Sequence, residues 1–230
     1  MTAPEILGVL KRTPVLAELE QSDLEVLSRA TRLVHLGTRQ LLWSVGQPAA
    51  NLGIVLAGRL KLTRQESGRE LIIEVVGPGD VVGEVALSLR RSYQFDVFCL
   101  RRARLLLVPT SVLNAQLRKR PKACVALAFD LAIQVLNLSR RVESLSAGNV
   151  EHRLARVLLN LVDRFGEPFP GGMLVPLRLR REDLASLAAT TIESASRQIS
   201  AWKHLGILVP QPSGYLVRDV VALRRIVSSD

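Results

Sequence analysis

Between Leu184 and Trp202 two apolar stripes with helical spacing follow each other almost without interruption. Leu184, Leu187 and Ala188 form the first, and Ala195, Ile199 and Trp202 form the second. Only a few residues around Ala189, Thr190 and Thr191 separate them, so two helices must cross steeply about a common core. The spacing predicts helices over Arg181–Ala189 and Thr191–Leu205. Small Ala189 permits the tight turn, and Thr190 or Thr191 offers a hydroxyl to cap the second helix. Upstream, Val150–Phe165 reads as a helix with Leu154, Val157, Leu158 and Leu161 on one face, followed by a Pro/Gly loop at Gly166–Gly172. Downstream, Ile207–Val209 and Tyr215–Val217 read as strands around Pro210-Gln211-Pro212-Ser213-Gly214. Helix, short turn, helix, hairpin is the order of a winged helix-turn-helix.

The face of the second helix opposite Ala195, Ile199 and Trp202 carries Glu193, Ser196, Arg197 and Gln198. Glu193, Ser196 and Arg197 stand at i, i+3 and i+4 and project together. Arg can pair bidentately with guanine O6 and N7, and Glu can accept from cytosine N4. Each has a plainer reading. Thr190 and Glu193 have capping-box spacing, Arg197 could be a solvated charge, and Trp202 reads as core. Composition favours the nucleic-acid reading: Lys plus Arg number 31 against 21 acidic residues, a net charge of +10. Two cysteines, Cys99 and Cys124, rule out four-Cys metal or iron–sulfur ligation within one chain and point to a reducing compartment. Metal-dependent barrel chemistry needs clustered His and carboxylates, whereas His152 and His204 lie outside the strand-rich region that holds His35. His35 and Cys99 read as structural residues, not heme ligands. No catalytic residue, enzyme activity or metal is expected. No charged-then-apolar leader stands in Met1–Leu10, and no apolar run approaches the ~18 residues of a membrane span. The expectation is a cytoplasmic protein without a membrane partner.

The rest of the chain has three textures. Residues 1–30 read as helical, with Leu16, Leu19, Leu24 and Leu27 as core and Ser22 or Asp23 as a cap. From Leu33 to Pro109, short runs at Gln40–Val45, Leu52–Leu56, Arg59–Thr63, Leu71–Val76, Asp96–Leu100 and Arg104–Val108 read as strands. Turn signals such as Ala57-Gly58, Ser67-Gly68 and Gly77-Pro78-Gly79-Asp80 separate them, which predicts an antiparallel sandwich or barrel. From about Ser111 a helix begins, in which Cys124, Ala128, Leu131, Val135, Leu138, Val142 and Leu145 repeat in steps of four and three. That is an a/d seam, suited to pairing with a second copy or else to packing on its own domain. Ala147-Gly148-Asn149 breaks it as a hinge. The predicted fold class is α+β, in three parts: a sensor/effector β-barrel with N-terminal helices at 1–110, a dimerisation helix at 111–147, and a winged helix-turn-helix at 148–230.

In this order the chain resembles the cyclic-AMP receptor / fumarate–nitrate regulator (CRP/FNR) family of transcription regulators over nearly its whole length. Gly58-Arg59-Leu60-Lys61, Gly68-Arg69-Glu70-Leu71, Gly77–Glu84 and the E-x-x-S-R run Glu193–Arg197 carry the resemblance. It implies a double-stranded β-helix like that of cyclic-nucleotide-binding domains, a homodimer on palindromic DNA, and RNA polymerase as a candidate partner. The E-x-x-S-R form is that of the fumarate–nitrate branch, with TTGA-like half-sites. Glu193, Ser196 and Arg197 would then read bases. Ile192, standing where the cyclic-AMP branch has a base-reading Arg, would meet a thymine methyl. Thr191, Ser194 and Lys203 would contact the backbone, and Gln211–Gly214 with Ser213 would form the wing tip. Leu131, Val135, Leu138, Val142 and Leu145 would form the dimer seam.

In nucleotide-binding members a Gly-Glu pair opens a short helix, and an Arg-Ser or Arg-Thr pair about ten residues on neutralises the cyclic phosphate. Gly83, Glu84, Val85 and Ala86 match the first part, but the Arg-Ser position holds Tyr93-Gln94. Arg91-Ser92 stands two residues early and would require a shifted register. The resemblance therefore implies a small-molecule pocket over Gly83–Ala86 and Arg91–Gln94. Cyclic AMP is not its expected ligand, because a buried phosphate would lack its main counter-charge. The alternative is a cyclic-nucleotide-binding regulatory protein whose effector controls DNA binding.

Overall fold

The computed structural model describes residues 1–66, 69–84, 92–125, 128–129, 132, 135–136 and 149–228. Contacts gather the chain into two compact units, Met1–Arg64 with Val75–Leu138, and Gln65–Glu74 with Ser139–Asp230.

The first unit opens with helices α1 (Ala3–Arg12) and α2 (Gln21–Ala30), joined through a short 3-10 turn at Pro14–Leu16. Strands β1 (Arg32–Leu36), β2 (Leu41–Trp43), β3 (Asn51–Glu66), β4 (Arg69–Val76), β5 (Val81–Val82) and β6 (Asp96–Pro109) form an antiparallel sheet, of which only the end of β3 and most of β4, Gln65–Glu74, are grouped with the second unit. Its order is β1-β6-β3-β4, with β2 also on β6 and β5 on β3. The run Leu105-Leu106-Leu107-Val108 is buried throughout because both sides of β6 are covered. Leu106 and Val108, with Leu52 and Ile54 of β3, pack among Leu10, Leu16, Leu24 and Leu27 of the helical layer. Leu105 and Leu107 point the other way, with Trp43, Val55, Leu60, Val82, Tyr93 and Cys99. Helix α3 (Thr110–Leu117) follows β6, and residues 121–125, 128–129, 132 and 135–136 are helical beyond it.

Three sequence expectations are corrected here. Arg59–Thr63 is not a strand of its own, and Ala57-Gly58 is not a turn. The chain runs straight through as β3, with register shifts against β6 between Val55 and Leu60. Gly58 has φ +85, and a Cβ there would lie 2.2 Å from the carbonyl oxygen of Arg102. Glycine thus supplies a β-bulge where sequence suggests a reversal. Asp96–Leu100 and Arg104–Val108 likewise merge into the single strand β6. Neither Ser22 nor Asp23 caps α2, whose N-cap is Glu20. Asp23 is buried instead and accepts from Arg120 Nε at 2.8 Å, while Glu20 pairs with the same guanidinium.

The second unit contains α4 (Val150–Phe165), the hairpin β7 (Glu167–Phe169) and β8 (Gly172–Val175), α5 (Arg181–Leu187), α6 (Ile192–His204), the hairpin β9 (Leu208–Gln211) and β10 (Gly214–Val217), and α7 (Val220–Ser228). The expected Pro/Gly loop at Gly166–Gly172 is thus a strand pair, with Glu167 opposite Leu174 and the turn made by Pro170 and Gly171. The four strands join in the order β7-β8-β10-β9. Leu154, Ala155, Leu158, Leu161, Val162 and Phe165 bury one face of α4.

Most of the a/d seam lies outside the described residues: Leu131, Leu138, Val142 and Leu145, with Ala147 and Gly148 of the hinge. Of the seam, Cys124, Ala128 and Val135 are described and all are exposed; beside them Val125, Phe129 and Leu136, outside the a/d pattern, expose 56, 68 and 60% of their surface, and Val135 exposes 61%. Four large apolar side chains bare on one helical stretch are an unmatched surface. Replacing Phe129 by Asp should leave the fold intact, because the side chain is exposed in the single chain. If a second copy covers that stretch, the variant should sediment as a monomer where the parent sediments as a dimer.

Candidate nucleic-acid interface

The turn between α5 and α6 is closed by backbone bonds. Ala189 adopts φ +45 and ends α5. Its N–H donates to Ser186 O at 3.1 Å, and the Thr190 N–H to Ala185 O at 3.0 Å. This left-handed close normally takes glycine; alanine, the smallest side-chain-bearing residue, tolerates it at modest cost. Of the two threonines that could cap α6, Thr191 is the one that does so. Its Oγ1 accepts from the Ser194 N–H at 3.2 Å. Glu193 therefore occupies the second position of the helix, and the capping box with Thr190 does not form.

Ala195, Ile199 and Trp202 are 0, 1 and 0% exposed, so α6 is fixed on one side. Ile192, Glu193 and Arg197 are exposed, and Ser196 and Gln198 half-buried. Arg197 Nη2 lies 3.4 Å from Ser194 Oγ. Lys203 is exposed near the helix end. Pro212 and Ser213 form the exposed turn of the second hairpin, where Gln211 pairs with Gly214.

Two residues that the sequence reading passed over hold this arrangement. Glu151, in the first turn of α4, accepts from Gln198 Nε2 at 2.9 Å and from the Trp202 indole N–H at 3.2 Å. Arg153 Nε donates to the carbonyl oxygen of Ala188 at 3.0 Å, at the turn. Asn149 caps α4, its Oδ1 accepting from the His152 N–H at 3.0 Å. The one available signal was Trp202 itself, since a buried indole N–H requires an acceptor. Gln198 is engaged inward and is not free to join Glu193 and Arg197 on the outer face.

In the first unit, Gly83 has φ +83, and a Cβ there would meet Trp43, Tyr93 and the carbonyl of Asn51 at 3.1–3.2 Å. Tyr93 is buried and stacks on Trp43, with ring centroids 4.1 Å apart and an interplanar angle of 4°. Its hydroxyl donates to Asn51 O at 2.9 Å and accepts from Asn51 N–H at 3.1 Å. Burial pushes the phenol pKa up, against a smaller lowering from the bond to Asn51. Gln94 Nε2 donates to Ser92 O at 2.9 Å. Glu84 is half-buried, and Val85, Ala86 and Arg91 lie outside the described residues. His35 is exposed on β1, while Cys99 is buried, its thiol pushed up by burial. Among the described residues no His, Cys, Asp and Glu side chains group as a metal site, and no helix is long and apolar enough to cross a membrane.

Two family models match the chain: a cyclic nucleotide-binding domain over residues 33–120 and a Crp-like helix-turn-helix domain over residues 152–226. The nitrogen fixation regulation protein FixK of Azorhizobium caulinodans is 30% identical over 186 residues, covering 79% of this chain and 73% of that protein. The CRP-like cAMP-activated global transcriptional regulator of Mycobacterium tuberculosis is 23% identical over 218 residues, 94% of this chain and 97% of that protein. The solved structure of FixK2 from Bradyrhizobium japonicum has the same fold, with a TM-score of 0.74 at 21% identity over 87% of this chain and 98% of that one. The chain belongs to the CRP/FNR family of transcription regulators. Its α5–turn–α6 and second hairpin are the helix-turn-helix and wing of a DNA-binding domain. Its relatives are regulators, not enzymes.

The contacts of Glu151 lead to an expected outcome. Glu151→Ala leaves the Trp202 N–H buried without its acceptor, a loss of about 1–3 kcal/mol. Glu151→Gln keeps an acceptor oxygen and should restore most of it. Denaturant unfolding of the two variants measures the difference. Equal stability of the alanine and glutamine variants would remove Glu151 from this role.

Proposed function

We propose that this regulator works as a homodimer, placing α6 of each copy in successive major grooves of a near-palindrome, about 34–36 Å apart. The observation that carries the reading is the two-sided build of α6. One side is buried through Ala195, Ile199 and Trp202, and the other presents Ile192, Glu193 and Arg197 to solvent. In this reading Arg197 takes guanine, Glu193 and Ser196 take neighbouring base edges, and Ile192 meets a thymine methyl. Thr191, Ser194, Lys203 and Ser213 contact phosphates and fix register. By resemblance the half-site is TTGA-like. Residues 1–110 serve as sensor, 111–147 as dimerisation helix with the seam Leu131, Val135, Leu138, Val142 and Leu145, and 148–230 as DNA-binding domain. RNA polymerase is a proposed partner and the cytoplasm the proposed location.

Selection from random DNA tests the reading. Recovered sites should carry a two-fold repeat. Arg197→Ala should cost roughly 1–3 kcal/mol per half-site and relax preference at one guanine. Lys203→Ala should weaken all sequences alike and flatten the salt dependence. An Arg197→Ala protein with parental base preference would refute this assignment.

The match to a cyclic nucleotide-binding domain implies a small-molecule effector. We place it near Gly83, Glu84, Val85, Ala86, Arg91, Ser92, Tyr93 and Gln94, and infer that it is not cyclic AMP. Tyr93 commits its ring to Trp43 and its hydroxyl to Asn51, and Gln94 offers an amide where a cation is needed. The second reading is a regulator whose DNA binding a cyclic nucleotide does control; the same domain match and the cAMP-activated relative favour it. Calorimetry decides: cyclic AMP should give no saturable heat at micromolar concentration. Micromolar affinity would transfer the phosphate role to Arg91-Ser92.

A further inference from the structure

The strand registers place two arginines and a histidine together on one face of the first unit's sheet. His35 of β1 lies opposite Arg104 of β6, and Arg104 lies opposite Ala57 of β3. Directly opposed residues share a face, as do i and i+2 along a strand, so Arg102 joins Arg104 and His35. One step back along the strands, the same face carries Leu33, Leu106 and Ile54, packed under the helical layer. Past the helices it is uncovered, and Arg102, Arg104 and His35 are exposed.

Small residues leave space beside these side chains. Ala57 is the neighbour of Arg104 on β3, and Gly37 continues β1 beyond Leu36. The bulge at Gly58, whose backbone presses on Arg101–Ala103, breaks the flat register at this point. Bulges of this kind re-aim side chains. The result is a groove of about 510 Å³ lined by His35, Leu36, Gly37, Ala57, Arg102, Ala103 and Arg104. Its lining contains cations and no carboxylate. Among the described residues the side chains of His35, Arg102 and Arg104 make no ion pair or hydrogen bond to a protein partner. Two guanidinium forks on one face, with an imidazole across from one of them, match a phosphate group bidentately.

We propose that this groove binds a small phosphorylated ligand, its phosphate held between Arg102 and Arg104 with His35 beside it. The site lies in the sensor unit and apart from the Gly83–Tyr93 cradle, and it does not depend on how α6 reads DNA.

The test is calorimetry on the full chain with pyrophosphate as the probe, at constant ionic strength. The parent should show saturable binding. Arg102→Ala/Arg104→Ala should weaken it by at least about tenfold, the loss expected when charge-assisted bidentate bonds are removed. Arg102→Lys/Arg104→Lys keeps the charge and loses the forks, and should also bind more weakly than the parent. Arg29→Ala, on exposed α2 surface, should leave binding unchanged. The proposal fails if pyrophosphate gives no saturable heat, or if the double alanine variant binds as the parent does. It fails in its ligand class if succinate binds as tightly as pyrophosphate. It also fails if pyrophosphate does not bind and the double variant instead loses affinity for random-sequence DNA, which would make the face a nucleic-acid contact.

Discussion

Strand β6 is the member on which the first unit depends. It pairs with β1, β2 and β3 at once, and its apolar residues are divided between the helical layer and the interior of the sheet. A strand buried on both sides cannot slip by one residue without exchanging its two apolar sets, so its register is strongly fixed. That fixed register in turn determines what lies opposite Arg104 at its exposed middle, and how Asp96 and Val97 meet β2 and β3 at its start. The helices α1 and α2 follow from the same constraint, since Leu106 and Val108 need a cover.

The second unit rests on a different principle. Helix α6 of its helix-turn-helix is held by a few polar bonds as well as by apolar burial. Trp202 is fully enclosed, and its indole N–H reaches Glu151 in the first turn of α4. Arg153, one turn position further, secures the carbonyl of Ala188. Helix α4 is thus bonded to the helix-turn-helix at its turn and at the second half of α6. Asn149 caps the start of α4.

The helix-turn-helix was legible in the sequence because its signals are local. Apolar spacing, a small residue at the turn and a threonine cap fall within about twenty positions, and the structure places Leu184, Ala195, Ile199 and Trp202 inside as expected. Strand boundaries were less legible. Ala57-Gly58 carries the composition of a turn, and only the partner strand shows that the glycine serves a bulge in a continuous β3. Gly166–Gly172 misled in the same way, because a Pro/Gly-rich stretch can be the corner of a short hairpin as well as a loop. Long-range polar bonds left almost no trace. Asp23 looked like a helix cap and is instead the buried partner of Arg120, and nothing near Glu151 announces Trp202. Around Gly83, the sequence supplied the departure at Tyr93-Gln94 but not its consequence, a phenol ring stacked flat on Trp43.

The chain contains two tryptophans, and they fall one in each unit. Trp43 lies against the Tyr93 ring beside Gly83, whereas Trp202 lies in the DNA-binding unit with its indole N–H on a carboxylate. An indole stacked on an aromatic ring and an indole bonded to an anion emit differently. The protein thus carries two intrinsic optical reporters, one packed against Tyr93 and Gly83 and one within α6. Phenylalanine at either position would isolate the other, so each unit can be followed separately by light emission without attaching a dye.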